Sequence, residues 1–117
     1  LWEKAGLVMR FVRMGIVVPL VEELFWRGFL MRFVIAEGRP FEKVPFGTHA
    51  WKAFWMTTAG VTLIHSTPDM LAAFVWGCLV YWLAVKSRSL GGCVLMHGAA
   101  NVALGLYVLQ TEQWGFW

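Results

Sequence analysis

The feature that most constrains this fold is a long uncharged segment near the end of the chain. Residues 89–111 are 23 consecutive positions without Asp, Glu, Lys or Arg. A helix of about 20 apolar residues crosses the roughly 30 Å hydrocarbon core of a bilayer. Because lipid supplies no hydrogen bonds to an open backbone, a single spanning segment satisfies its own peptide groups best as a helix. We therefore predict a membrane-spanning helix here.

The rest of the chain has the same character. It is 59% hydrophobic and only 15% charged, where soluble domains carry about 25% charged residues. Three further hydrophobic segments lie at about residues 14–36, 51–66 and 70–85. The predicted fold class is all-α, a polytopic transmembrane helical bundle, with residues 1–117 forming one membrane-embedded core. The chain begins at Leu1, not Met, so we expect it to be the C-terminal part of a larger bundle with further helices upstream.

The charged residues outside the apolar segments indicate an orientation. Basic residues precede the second segment and follow the third, whereas the turn between them has an acid and no base: Arg39, Lys43, Lys52, Lys86 and Arg88 against Asp69. Basic loops favour the cytoplasmic side of a membrane. The net charge of +3 is not arranged as a basic stripe interleaved with polar residues. The expected partner is therefore membrane lipid, and nucleic-acid binding is rejected.

Charged groups also lie inside the first hydrophobic segment. A charge in the centre of a spanning helix costs about 2.5–3.5 kcal/mol on insertion scales, so it needs a partner, a cavity or a function. Glu23 and Arg27 are four residues apart and can pair on one helix face. Glu22 lies about 100° away around the helix and is left as a candidate general base. The alternative is an ion-paired patch at a helix end or on an interfacial helix.

Two later segments carry histidines. His65 lies near the end of an uncharged run, while His97 and Asn101 are four residues apart and share a helix face. Each has a structural alternative: His65 as a core histidine bonded to a carbonyl, and His97 with Asn101 as hydrogen-bonding contacts between helices. His49, in the loop, is expected to be exposed or interfacial. Together with Glu22, these groups supply what peptide hydrolysis needs, namely water activation and oxyanion stabilisation.

These residues form a pattern that resembles the CAAX-protease and bacteriocin-processing (CPBP, or Abi) family of intramembrane peptidases. Its motifs are Glu-Glu-x-x-x-Arg, Phe-x-x-x-His and His-x-x-x-Asn/Asp on three helices. They correspond to Glu22-Glu23 with Arg27, His65, and His97 with Asn101, with Val61 where Phe is usual. Phe74, Gly77 and the tail TEQWGFW resemble the exosortase-associated bacterial subgroup.

The resemblance implies a membrane endopeptidase acting on a membrane-associated peptide or protein, in a multi-pass protein of the bacterial inner membrane. Glu22 would be the general base, assisted by His65. Glu23 would orient the site through Arg27, and His97 and Asn101 would bind the oxyanion. The cofactor is left open between none and a zinc ion held by Glu22, His65 and His97. The functional alternatives are a non-catalytic immunity or scaffold protein and a transporter or proton relay.

Overall fold

The computed structural model describes residues 2–112, and their secondary structure is entirely helical, without a strand. The α-helices are α1 (Trp2–Val12), α2 (Val18–Glu23), α3 (Met31–Ala36), α4 (Trp51–Leu63), α5 (Met70–Ser87) and α6 (Leu90–Thr111). Wide π-helical turns occupy Arg13–Val17 and Leu24–Leu30, and short 3-10 turns occupy Phe41–Lys43 and Thr67–Asp69. The all-α prediction is confirmed. Most of the tail TEQWGFW, which carried part of the subgroup resemblance, lies outside the described residues, because these end at position 112.

Two of the described helices are long and apolar enough to cross a membrane. They are the 21 residues Thr67–Ser87 and the 22 residues Leu90–Thr111, which agree with the predicted third and fourth segments. The second segment forms a helix of only 13 residues, ending at Leu63. The first is not a uniform helix from residue 14 to residue 36, because the two π-helical turns interrupt it. Proline in a helix removes a hydrogen bond and crowds the preceding turn, and Pro19 lies two residues after the end of the first of these turns.

The chain divides into two compact units, one of residues 1–22 with 94–117 and the other of residues 23–93. In the second unit, α3, α4 and α5 contribute Met31, Phe54 and Tyr81 to a buried core. Gly77 of α5 lies against Thr58 of α4, where an added Cβ would be 3.4 Å from the Thr58 methyl group. Small residues at this contact let the two helices approach closely.

The loop between α3 and α4 is ordered by backbone contacts, although its sequence indicates only a polar connection. The Arg32 guanidinium donates to the carbonyls of Val44 at 2.8 Å, Glu42 at 3.0 Å and Gly28 at 3.1 Å. At the start of the loop, Glu37 accepts a hydrogen bond from Lys52, and this ammonium group lowers the pKa of the exposed Glu37 carboxyl.

His49 belongs to an aromatic group at the end of this loop. Its Nδ1 lies 2.8 Å from the Tyr81 hydroxyl, and its ring is 4.8 Å from Trp51 and 4.9 Å from Trp82 between centroids. The Tyr81 hydroxyl also contacts the backbone of Ala50. His49 is exposed, and these contacts give it a structural role in holding the loop against α5.

In the first unit, glycines of α6 allow the N-terminal helical segments to pack closely. An added Cβ at Gly105 would be 2.7 Å from the Phe11 ring, and one at Gly98 would overlap the Gly15 carbonyl oxygen. Gly91, near the start of the same helix, is exposed, and a Cβ added there would lie 3.8 Å from Ser89 Oγ, an ordinary contact distance.

We expect Gly98→Ala to lower the free energy of unfolding by about 1–3 kcal/mol, because the backbone carbonyl of Gly15 cannot move aside as a side chain can. Gly91→Ala should instead be neutral or gain about 0.5–1 kcal/mol, since Ala loses less backbone entropy in a helix. Thermal unfolding in detergent measures both. Equal changes in the two variants would contradict the close packing at Gly98.

Candidate active site

The first unit brings together a carboxylate and an imidazole. Glu22, near the end of α2, places Oε2 3.6 Å from Nε2 of His97 on α6. The His97 side chain is 9% exposed, and that of Glu22 is 40% exposed. The imidazole of His97 is thus nearly buried, and the carboxylate of Glu22 is partly exposed. The sequence predicted both residues as functional but contained no local signal of this contact, since they are far apart in the chain.

Asn101 lies one helical turn beyond His97 and is held by a backbone group. Its Nδ2 donates to the carbonyl oxygen of Met14 at 2.8 Å. A carboxamide nitrogen carries two hydrogens, so one remains for another acceptor. Glu22, His97 and Asn101 therefore belong to the same unit, and Asn101 has its orientation set by Met14.

The second unit contains the other carboxylate of the Glu-Glu pair. Glu23 is fully buried and forms an ion pair with Arg27, with Nη1 3.2 Å from Oε2. Arg27 is 1% exposed, and its Nη2 also donates to the carbonyl of Gly77 on α5 at 3.4 Å. This is the predicted i, i+4 pair, with an added interhelical contact. A buried pair of this kind is destabilised strongly when one member is removed.

His65 follows the end of α4 in the same unit. Its Nδ1 lies 2.7 Å from the carbonyl oxygen of Val61. A carbonyl can only accept, so Nδ1 carries a proton, and Nε2 is the ring nitrogen left for other partners. The bond satisfies one of the last carbonyls of α4, which have no partner within the helix. It uses the backbone of Val61, so the absence of the usual Phe at that position does not disturb it.

The zinc alternative was tested against the arrangement of donors. Within residues 2–112, no three His, Cys, Asp or Glu side chains lie together so as to hold a metal ion. Glu22 and His97 provide two adjacent donors, while a catalytic zinc site takes three protein ligands. Glu22 and His97 alone therefore do not complete such a site. The set of Glu22, His65 and His97 stays a prediction of the resemblance.

Comparison with known proteins shows the family. The family model described as type II CAAX prenyl endopeptidase Rce1-like matches residues 4–103. The chain belongs to this family. No curated protein and no solved structure matches it. The match confirms the resemblance to CAAX proteases, and the exosortase-associated subgroup stays a prediction.

The matched range of this Rce1-like chain contains every residue predicted for the site, from Glu22 to Asn101. With two helices able to span a bilayer, membership also makes the Rce1-like chain a membrane protein of a peptidase family. The sequence did not predict two backbone acceptors, the carbonyl of Met14 in the first unit and the carbonyl of Gly77 in the second. In a regular helix Pro19 leaves the carbonyl of Gly15, four residues back, without its donor, and only the wide register of Arg13–Val17 transfers this effect to Met14.

Proposed function

We propose that this protein is an intramembrane endopeptidase that hydrolyses a peptide bond in a membrane-associated substrate with water activated by Glu22. The observation that carries the proposal is the 3.6 Å contact between Glu22 Oε2 and His97 Nε2. This separation exceeds an ordinary hydrogen bond. A water molecule lying beside the two atoms can be within hydrogen-bond reach of both, at roughly 2.6–3.2 Å from each.

Proton transfer and oxyanion binding in the proposed reaction use side chains of the first unit. Glu22 accepts a proton from the water molecule while the water oxygen attacks the carbonyl carbon of the scissile bond. The oxyanion that forms accepts hydrogen bonds from His97 and from the second amide hydrogen of Asn101. The C–N bond then breaks, and the proton held by Glu22 passes to the leaving amine. One water is consumed, and one carboxyl and one amine are produced.

The remaining predicted residues are assigned supporting roles. Glu23 and Arg27 anchor the chain immediately after Glu22, because their buried ion pair resists displacement of the backbone that carries them. We keep for His65 the role of assisting water activation. Its Nδ1 is engaged by the Val61 carbonyl, which leaves Nε2 as the ring nitrogen that can exchange a proton.

An apolar groove in the first unit supports a substrate with a lipid-like part. Its volume is about 1010 Å³, and all 14 lining residues are apolar. They include Gly98 and Ala99, directly after His97, and Leu20, two residues before Glu22. The family description names prenyl endopeptidases. We propose that the groove receives the prenyl group of a CAAX-type substrate and so holds the neighbouring peptide bond close to Glu22 and His97.

We further propose a multi-pass location in the bacterial inner membrane. The two described spans are joined by the short connection after Ser87, and Lys86 and Arg88 flank this point. Basic residues at such a connection favour the cytoplasmic side. Partners are then the surrounding lipid and a peptide that reaches the site from the membrane surface.

Cleavage in reconstituted liposomes tests the proposal. A prenylated CAAX-type peptide should be cleaved faster than the same peptide without the prenyl group, as measured by mass spectrometry of the products. His97→Ala should lower the rate by about 10²–10³, the range for loss of one hydrogen-bond donor to the oxyanion.

His49→Ala is the matched control, because it removes a histidine that contacts loop and α5 residues and not Glu22. Its rate should equal that of the parent protein. A full rate for His97→Ala, with the variant correctly folded, would eliminate the proposed chemistry.

A further inference from the structure

The backbone around Pro19 leaves one carbonyl without a donor from its own helix. Val18 N–H donates to the carbonyl of Arg13, five residues back, and not to Met14, four residues back. In the same wide register the partner of Met14 would be residue 19, which is a proline and has no N–H. Neither Val18 nor Pro19 therefore donates a backbone hydrogen bond to the Met14 carbonyl.

Asn101 supplies the missing hydrogen bond. Its Nδ2 lies 2.8 Å from the Met14 oxygen, and Asn101 is half-buried on α6. The segment Arg13–Val17 and α6 can approach each other because Gly98, one turn earlier on α6, lies against the Gly15 carbonyl without an intervening side chain. The hydrogen bond is partly buried, and a carbonyl that is shielded from water without a donor is costly, so this acceptor holds the Asn101 amide in one orientation.

We infer that Pro19 is a positioning residue: by withholding an N–H, it keeps the Met14 carbonyl available to orient Asn101. This inference rests on the proposed function, in which the second amide hydrogen of Asn101 binds the oxyanion. A proline that only bends the helix would affect stability and packing, but its effect would be independent of Asn101. The two roles therefore differ in whether Pro19 and Asn101 are energetically coupled.

Unfolding in detergent tests this coupling without any measurement of activity. In the parent protein, Asn101→Leu should lower the ratio of folded to unfolded protein by about tenfold, because the Met14 carbonyl loses its donor. In Pro19→Ala, the helix can return to the α register, in which Val18 N–H reaches Met14 and Ala at position 19 reaches Gly15. Asn101→Leu should then cost less than about twofold. Equal costs in the two backgrounds would overturn the inference.

Kinetics tests the link to the reaction. Pro19→Ala should lower kcat by about 10- to 100-fold, because the oxyanion donor is no longer aimed, while KM stays within about twofold. In the Asn101→Leu background the same substitution should have no further effect on kcat, and a further loss of tenfold would contradict the assigned role. Val21→Ala, at an exposed position two residues further on, should leave kcat unchanged.

Two controls separate the possible failures. Pro19→Ser also restores the N–H and repeats the unfolding comparison if Pro19→Ala does not fold. If the parent protein hydrolyses neither the prenylated nor the unmodified peptide, the proposed function fails, and the unfolding comparison alone decides for or against the role of Pro19.

Discussion

Glu22→Gln is expected to lower kcat/KM for a membrane-associated peptide by about 10²–10⁴, the contribution of a positioned general base. The substitution keeps the size and polarity of the side chain, and the Glu22 side chain is 40% exposed beside His97. An amide in this position cannot accept the proton of the attacking water. The loss should therefore appear in kcat, while the thermal unfolding temperature in detergent stays close to that of the parent protein.

Two further substitutions make this result specific. Glu22→Asp keeps the carboxylate but withdraws it from His97 Nε2, so its rate should fall between those of the parent and Glu22→Gln. Glu3→Gln removes an exposed carboxylate from α1 in the same unit and should have no effect. A parent-like rate for Glu22→Gln, measured on product peptides, would rule out Glu22 as the base.

Much of the local structure was accessible from spacing alone. The uncharged run at residues 89–111 corresponds to α6, Leu90–Thr111, because helix length is set by bilayer thickness. The spacing of Glu23 and Arg27 predicted an ion pair on one face, and the pair is present. Such predictions succeed because the relevant contacts lie within one or two helical turns.

The departures arise where one proline or one tertiary contact decides the outcome. The segment at residues 14–36 reads as one hydrophobic helix, but its backbone contains two wide π-helical turns. Such turns are often found at functional sites, and they change which residues share a face. His65 was predicted near the end of the segment at residues 51–66. The helix α4 ends at Leu63, and His65 caps its last turn through a hydrogen bond to the carbonyl of Val61.

The contact of Glu22 with His97 could not be derived from the sequence by periodicity. The two residues are separated by most of the chain, and their approach depends on how α2 and α6 pack within the first unit. Only the family resemblance placed them in one site. Likewise, the Met14 carbonyl is a backbone atom that any residue would offer, so its role becomes visible only when the register of the helix is known.

Arg27→Met is expected to have the largest effect on stability, lowering the free energy of unfolding by about 3–5 kcal/mol. The substitution leaves the carboxylate of Glu23 fully buried without the guanidinium that lies 3.2 Å away. It also removes the contact of Arg27 with the Gly77 carbonyl, which joins this helical segment to α5. Lys43→Met, at an exposed loop position, should change the stability by no more than about 0.5 kcal/mol.

The double variant Glu23→Leu/Arg27→Met separates the energy of the pair from the cost of a buried carboxylate that has lost its guanidinium. The desolvation of two charges offsets much of their mutual attraction. Replacing a whole buried pair by apolar residues is therefore often neutral, or raises the free energy of unfolding by about 1–4 kcal/mol. The double variant should therefore unfold at a higher temperature than Arg27→Met alone. Its peptidase activity should still be low, because the backbone that carries Glu22 loses its anchor. A double variant less stable than Arg27→Met would show instead that the ion pair itself stabilises the fold.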